Sequence, residues 1–322
     1  MRSKSVSWIV SRLKAAKMIF RLSLKRGPLS ESPAVFPCGM SRSGTTLVAT
    51  ILDSHPRISM GYELIPPPVA SPAVLLQALD QGLDMSGGDF RKCGGALRKA
   101  GRRQIGLFLA RCQRTGIAVD ELRYLFQSLD DEGLRCIMLI RDRLALAWRV
   151  VERKRIRERT NLCGFKVGPP IVVKVAKCFP NSYFICIVRD PRDVVASYIE
   201  RKFGLSPEEI CANWNKHLDA VRRFHKKHSS TSLILRYEDL VCSPQQTLER
   251  VFAVLPVHME ESVFRFYKSK ASVHESRHPN AANLKRDFFT SSIGRWMNEL
   301  PEELGERIHR LCARGMESLG YA

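Results

Sequence analysis

The sequence has no long hydrophobic run, no internal repeat and no metal-ligand spacing among its cysteines. No window holds about 18 uninterrupted apolar residues, which argues against an integral membrane protein. No fixed period or sustained heptad appears, which excludes repeat and coiled-coil architectures. None of the 10 cysteines forms a CxxC pair or a Cys/His cluster with zinc-like spacing. Several cysteines stand within apolar runs, so we expect reduced thiols that pack as small core residues.

Acidic residues are scarce relative to basic ones. The 322 residues include 52 Lys and Arg against 32 Asp and Glu, which leaves a formal net charge of +20. This balance predicts an anionic partner, although charge alone does not choose among a nucleic acid, a phosphorylated cofactor, an acidic substrate and a membrane surface. The aromatic and basic pattern of a nucleic-acid-binding module is absent, so we expect no nucleic-acid partner.

Residues 1–26 carry eight Lys or Arg and no acidic residue. Apolar residues fall on one helical face and basic residues opposite, which fits a membrane-surface helix, an organelle transit peptide or a basic arm packed on the domain. Gly27 and Pro28 end this pattern, so residues 1–33 are interpreted as an N-terminal segment with its linker and 34–322 as the main domain. We expect a cytoplasmic protein, with membrane-surface contact through residues 1–26 as an alternative. A Golgi location ranks behind both because we see no membrane anchor.

Short apolar runs alternate with helical patterns along the main domain. The runs are residues 35–38, 183–188 and 232–235, and the helical patterns are 47–52, 194 onward and 244–255. Strands that alternate with helices predict a parallel sheet covered on both faces. Residues 69–160 are predicted to be mostly helical, 268–290 to form a loop or lid, and 293–319 to be helical.

A glycine-rich loop stands between the first predicted strand and helix. Gly39 and Gly44 have the G-x-x-x-x-G spacing of a loop whose backbone N–H groups hold phosphate. Thr45 occupies the position where a nucleoside-triphosphate-binding loop has Lys, and Arg42 supplies the positive charge instead. The loop therefore predicts an anion site that differs from that of a nucleotidase.

The strand at 183–188 ends in Arg189. A magnesium-dependent nucleotidase would have an Asp there to help hold the metal. A cation at this strand end suits a second anion better, and we expect no metal. Asp190 and Asp193 are predicted to fix neighbouring arginines rather than to act as acids.

Four ordered segments resemble the sulfotransferases that use 3′-phosphoadenosine 5′-phosphosulfate (PAPS). They are residues 40–47 with 52–56, 179–197, 236–240 with Pro244, and 291–296. The pattern is more similar to bacterial and tyrosylprotein-type members than to the cytosolic hormone-conjugating type, because the loop carries Arg rather than Lys. The resemblance implies an α/β fold with a P-loop-type parallel sheet flanked by helices, a helical acceptor-side insertion at 69–160 and a C-terminal lid segment.

The resemblance also implies which residues bind the cofactor. The loop would hold the 5′-phosphosulfate, Arg189 and Ser197 would bind the 3′-phosphate with Arg201 one helical turn beyond, and the C-terminal segment would fold over the nucleotide. The matched positions are Arg42, Ser43, Gly44, Thr45, Thr46, Arg189, Ser197, Arg201, Tyr237, Arg286, Ser291, Ser292 and Gly294.

Three residues are matched to catalysis. Glu63 corresponds to the general base of the tyrosylprotein-type members, Lys166 to the Lys near the bridging oxygen, and Arg42 to a group on the transferring oxygens. Lys166 stands in Lys-Val-Gly-Pro, one residue longer than the usual family pattern. The implied reaction is in-line attack of an acceptor hydroxyl on sulfur. The acceptor class stays open among a small molecule, a glycan and a peptide.

Two other functions remain as alternatives. One is a P-loop kinase of a small molecule, which would need magnesium and ATP, and the other is an inactive relative that still binds the nucleotide. His55 is predicted to bond local backbone at a helix end. His217, His225 and His228 are predicted to form a solvated helical face.

Overall fold

The structure is a computed structural model that describes residues 27–69, 71–81, 99–131, 136–269 and 281–321. The basic pattern predicted at residues 1–26 lies outside the described residues. Among the described residues, no helix combines the length and the apolar character needed to cross a bilayer.

A parallel sheet of five strands forms the centre of the fold. The strands are β1 (Ala34–Cys38), β2 (Ile58–Gly61), β3 (Leu162–Phe165), β4 (Ser182–Val188) and β5 (Ser232–Arg236). Their order across the sheet is β2-β3-β1-β4-β5, and every pairing is parallel. The prediction of an α/β fold with a parallel sheet is confirmed.

Helices cover both faces of this sheet. They are α1 (Thr45–Asp53), α2 (Pro72–Asp80), α3 (Lys99–Arg114), α4 (Val119–Asp131), α5 (Ile140–Glu158), α6 (Val172–Cys178), α7 (Pro191–Glu200), α8 (Pro207–Lys227), α9 (Tyr237–Cys242), α10 (Pro244–Val254), α11 (Ala281–Leu284), α12 (Trp296–Glu299) and α13 (Glu302–Glu317). Short 3₁₀ helices lie at Pro169–Ile171 and Glu261–Lys268.

The central strand β1 is apolar throughout because both of its faces are covered. On one face of β1, Ala34, Phe36 and Cys38 pack into the core formed with α2–α6 and α8. On the other face, Val35 packs into the core formed with α1, α9 and α10. The ring of Phe36 lies 5.1 Å from that of Phe165 and 5.4 Å from that of Phe184. Burial of these rings anchors β1 between β3 and β4, and so fixes where the loop after β1 emerges.

Several element boundaries differ from the sequence prediction. The helix expected from residue 194 begins at Pro191, because Asp190 caps it by accepting a hydrogen bond from the Arg192 N–H at 2.8 Å. The region 293–319 contains two helices, α12 and α13, with Leu300 and Pro301 between them in non-helical backbone. The strands β2 and β3 were missed, since four residues carry too little periodicity.

The predicted helical character of residues 69–160 is confirmed where the structure describes them, with α2–α5 in this range. Helix α5 packs against β2 and β3. Part of this range therefore covers the sheet itself. Of the predicted loop at 268–290, residues 270–280 lie outside the described residues and Ala281–Leu284 form α11.

The prediction for the cysteines is confirmed for most of those described. Eight of the nine described cysteines are free and buried, and Cys242 is free and exposed.

Candidate active site

A residue or loop predicted to serve the site lies at or next to the carboxyl end of each strand of the sheet. The glycine-rich loop follows β1, Glu63 follows β2 after one intervening residue, Lys166 follows β3, Arg189 follows β4 and Tyr237 follows β5. Because all five strands are parallel, their carboxyl ends lie at one edge of the sheet. Topology thus brings together residues that are far apart in sequence.

The loop after β1 adopts a conformation suited to an anion. Arg42 has φ 72° and Gly44 has φ 92°, so left-handed residues alternate with others and turn successive N–H groups toward one side. A Cβ on Gly44 would lie 2.6 Å from the Tyr237 ring. Thr45 and Thr46 open α1 and are buried. The loop therefore combines converging N–H groups with the positive end of a helix dipole.

Lys166 joins the loop to the predicted base. Its Nζ donates to Thr46 Oγ1 at 2.8 Å and to Glu63 Oε1 at 3.0 Å. The lysine is 8% exposed, and this burial lowers the pKa of Lys166 from its ordinary value, while the ion pair with Glu63 opposes that shift. The extra residue after Lys166 does not prevent its ammonium from reaching the site.

Glu63 lies between two cations. Oε1 contacts Lys166, and Oε2 lies 2.9 Å from Nη2 of Arg111, which is one of two arginines in the last turn of α3. Sequence reasoning missed Arg111, because it is one of many arginines between residues 69 and 160 and no local motif marks it. Arg114 is close as well: burial and then Arg111 lower its pKa, whereas Glu63 raises it.

Arg189 is buried at the end of β4 and contacts three parts of the site. It donates from Nη1 to the backbone oxygen of Arg42 at 3.1 Å and from Nη2 to that of Ser292. Its guanidinium carbon lies 4.8 Å from the centroid of the Tyr237 ring. Nη2 is also 3.7 Å from Asp193 Oδ2. The prediction that Asp190 and Asp193 fix arginines is confirmed, since Asp190 pairs with Arg192.

Ser197 lies on α7 and Arg201 directly after its end, and both are close to Arg42. Arg42 Nε donates to Ser197 Oγ at 2.8 Å. Burial, and then the neighbouring charge of Arg201, lower the pKa of Arg42 from its ordinary value. The structure thus places the cations of the loop and of α7 close together, as an anion-binding cluster requires.

The C-terminal segment before α12 contacts the same edge of the sheet. Ser292 Oγ and Tyr237 OH are 2.5 Å apart. The Gly294 N–H donates to Asp193 Oδ2 at 2.9 Å, and the Trp296 N–H donates to Oδ1 at 3.1 Å. Desolvation raises the pKa of buried Asp193, and these two hydrogen bonds and Arg189 act against that rise. One buried carboxylate therefore ties the segment to α7.

Ser291 and Arg286 are less closely integrated. Both are exposed, and the guanidinium carbon of Arg286 lies 4.7 Å from the centroid of the Phe289 ring. Their contact with a nucleotide stays a prediction.

The histidines divide into one correct and one wrong prediction. His55 bonds local backbone as predicted, because its Nδ1 accepts from the Arg57 N–H at 3.1 Å. Its Nε2 also donates to the distant His258 oxygen at 2.8 Å. The solvated face predicted for the other three is wrong. His225 is half-buried against Ser232, and His228 stacks on Phe224 at 4.3 Å. His217 is half-buried too, because α8 packs on the sheet along this side.

In the described part of the chain, no group of three or more His, Cys, Asp or Glu side chains is arranged to hold a metal ion. The site is instead rich in guanidinium and ammonium groups.

Comparison with known proteins gives a family and a fold. A family model described as the sulfotransferase family matches residues 33–89 and 170–261. Protein-tyrosine sulfotransferase 2 of Gallus gallus is 28% identical over 72% of this chain and 53% of its own length. Protein-tyrosine sulfotransferase 1 of Danio rerio is 23% identical over 90% of this chain and 73% of its own length. The chain thus spans about half the length of the first of these relatives.

Two solved structures share the fold. The sulfotransferase domain from the Synechococcus PCC 7002 olefin synthase has a TM-score of 0.60 and 19% identity, covering 93% of this chain and 97% of that one. The sulfotransferase domain from the curacin biosynthetic pathway has a TM-score of 0.55 and 20% identity, covering 88% of this chain and 98% of that one. The family model and the named relatives thus show that the chain is similar to sulfotransferases, and the two solved structures show that it shares their fold.

Proposed function

We propose that this protein transfers the sulfuryl group of PAPS to an acceptor hydroxyl. The observation that carries this proposal is the position of Lys166, whose single ammonium contacts both Thr46 of the loop and Glu63. A donor group held by the loop and an acceptor deprotonated by Glu63 would then meet beside one buried cation. Group transfer needs this proximity.

The residues at the sheet edge fit a nucleotide with two anionic groups. Nε of Arg189 is buried and has no hydrogen-bond partner among the described residues, so it can still donate to an added anion. A Cβ at Gly44 would collide with Tyr237, so the loop depends on glycine to keep its curved shape. Arg42, Thr45 and Thr46 would hold the 5′ side, and Arg189, Ser197 and Arg201 the 3′-phosphate.

The chain's own groups can serve both halves of the reaction. PAPS, when bound, supplies the electrophilic sulfuryl group. Glu63 would take the proton of the acceptor hydroxyl, and its two cationic neighbours favour the charged carboxylate that this requires. Lys166 and Arg42 would stabilise negative charge that develops on the donor side.

For the acceptor we propose a tyrosine hydroxyl in a peptide or protein. The named relatives from chicken and zebrafish are protein-tyrosine sulfotransferases, which supports this class over a glycan or a small alcohol. The arginines around Glu63 agree with a polar or acidic acceptor.

Calorimetric titration with adenosine 3′,5′-bisphosphate tests the donor site. We expect tight binding to the wild-type protein, at least tenfold weaker binding to Arg189→Ala, and no matching affinity for ATP with magnesium. Arg307→Ala is the control, because Arg307 is exposed and pairs with Glu208 on the surface. ATP binding without bisphosphate binding would instead favour the kinase alternative.

Transfer from labelled PAPS to tyrosine peptides tests the reaction itself. Matched peptides with phenylalanine in place of tyrosine should accept no label. A protein that binds the bisphosphate but labels no acceptor with Glu63 intact would fit the inactive nucleotide-binding relative.

A further inference from the structure

The C-terminal end of α3 contacts the segment that carries Glu63 at two separate points. Arg111 Nη2 lies 2.9 Å from Glu63 Oε2. Thr115, which follows the helix, accepts a hydrogen bond on Oγ1 from the Tyr62 N–H at 3.3 Å. Consecutive residues after β2 are therefore bound by two residues of one helix end.

These two contacts come from one rigid unit. Arg111 and Thr115 are four residues apart, so they lie on the same side of the helix end. Thr115 is fully buried, and its hydroxyl donates to the backbone oxygen of Arg111 at 2.9 Å. Tyr62 is also buried. The threonine that binds the backbone next to Glu63 is thus hydrogen-bonded to the arginine that contacts the Glu63 carboxylate.

The backbone of Glu63 needs such support. Its φ is 45°, in the left-handed region that a non-glycine residue occupies only at a cost of roughly 1 kcal/mol or more. The contacts with Arg111 and Lys166 are made by the side chain of this strained residue.

The two carboxylate oxygens of Glu63 contact different cations. Oε1 contacts Lys166 on the side of the loop, and Oε2 contacts Arg111 on the side of α3. Lys166 is 8% exposed, whereas Arg111 is 31% exposed. A carboxylate held at both oxygens has its plane fixed, which one ion pair alone would not achieve.

We propose that Arg111 is a positioning residue for Glu63: it orients the carboxylate for proton removal and keeps it charged. This inference rests on the proposed function, because it assumes that Glu63 is the base. It assigns a catalytic purpose to the end of α3, which no motif in the sequence marks.

The test compares Arg111→Gln, Arg111→Lys and the control Arg123→Gln, an arginine of α4 that pairs with Asp80 away from the site. For each protein, bisphosphate affinity is measured by calorimetry, and kcat and KM for a tyrosine peptide are measured from pH 5 to 9. Arg111→Gln should lower kcat about 10-fold to 100-fold and leave bisphosphate affinity unchanged. The acidic limb of its kcat/KM profile should move to higher pH, because the carboxylate has lost a cation.

Arg111→Lys should return the acidic limb toward its wild-type position and restore only part of kcat, since lysine keeps the charge but not the planar contact. A Gln variant with an unchanged pH profile, or with only a raised peptide KM, would overturn the proposal. Failure of the wild-type protein to bind bisphosphate or to transfer sulfate would refute the proposed function instead, so the two failures are distinguishable.

Discussion

At the scale of single residues, the glycine-rich loop after β1 is shaped by a contact with a residue that follows β5. Gly44 follows β1, and the ring that it faces belongs to Tyr237, directly after β5. Tyr237 in turn lies against Arg189 and Ser292. One aromatic ring therefore contacts the loop, Arg189 and the C-terminal segment, so the shape of the loop and the position of Arg189 depend on the same side chain.

Gly44→Ala should weaken bisphosphate binding at least tenfold and lower the free energy of unfolding by roughly 1–3 kcal/mol. The added Cβ faces both a positive φ and the Tyr237 ring. Gly204→Ala is the matched control, because Gly204 also has a positive φ, 75°, but a Cβ added there would have no heavy atom of another part of the chain within 4 Å. Calorimetry and urea unfolding measure the two effects. Equal loss of binding in both variants would contradict the role of the contact with Tyr237.

At the scale of elements, a buried ion pair connects α1 to α5 beside β2. Lys154 Nζ lies 2.5 Å from Asp53 Oδ1 and donates to the Met60 oxygen at 3.1 Å. Asp53 Oδ1 also accepts from the Met60 N–H at 2.6 Å. The two charged side chains are only 6% and 3% exposed. The strand that leads to Glu63 is thus held by polar contacts from a helix on each face of the sheet.

Lys154→Met should lower the free energy of unfolding by about 3–5 kcal/mol, because Asp53 is left as a buried charge without its cation. The double variant with Asp53→Asn should recover a substantial part of that loss, and denaturant titration of the four proteins of the cycle measures the coupling. Arg310→Met, which removes an exposed pair with Glu306, should change stability little. Strictly additive losses would show that the pair does not couple α1 to α5.

At the scale of the whole molecule, a charge of +20 makes additional protons unfavourable to the compact state. Burial lowers the pKa of both His55 and His217 below the ordinary value of 6.5. At these two histidines the unfolded chain therefore binds more protons than the folded one as the pH falls past 6.5. This contribution to stability is present above pH 6.5 and is lost as the pH falls toward the lowered folded-state pKa.

His55→Gln should accordingly show a smaller loss of stability between pH 7.5 and pH 5.5 than the wild-type protein. His258→Gln is the control, since its exposed side chain is replaced while the backbone oxygen that accepts from His55 remains. Urea unfolding at the two pH values gives the comparison. An equal pH dependence in wild type and His55→Gln would exclude His55 as a source of acid sensitivity.

Local pattern was enough for some parts of the site and insufficient for others. The loop spacing and the cation at Arg189 are visible because each sits beside a recognisable strand or helix pattern. Arg111 was not visible, since its contact with Glu63 joins residues that are 48 positions apart and depends on how α3 packs. The half-burial of His225 and His228 was missed for the same reason, because it depends on what covers α8.

The sequence alone determined the alternation of strands and helices, the glycine loop with Arg42, the cation Arg189 at the end of a strand and the family resemblance. These features follow from local periodicity and from residue types at fixed spacing. Only the tertiary structure decided which cations meet: Lys166 between Thr46 and Glu63, and Arg111 on the other carboxylate oxygen. The physical reason is that parallel strands bring their carboxyl ends to one edge, whereas the helix that supplies Arg111 is placed there by burial of its apolar side.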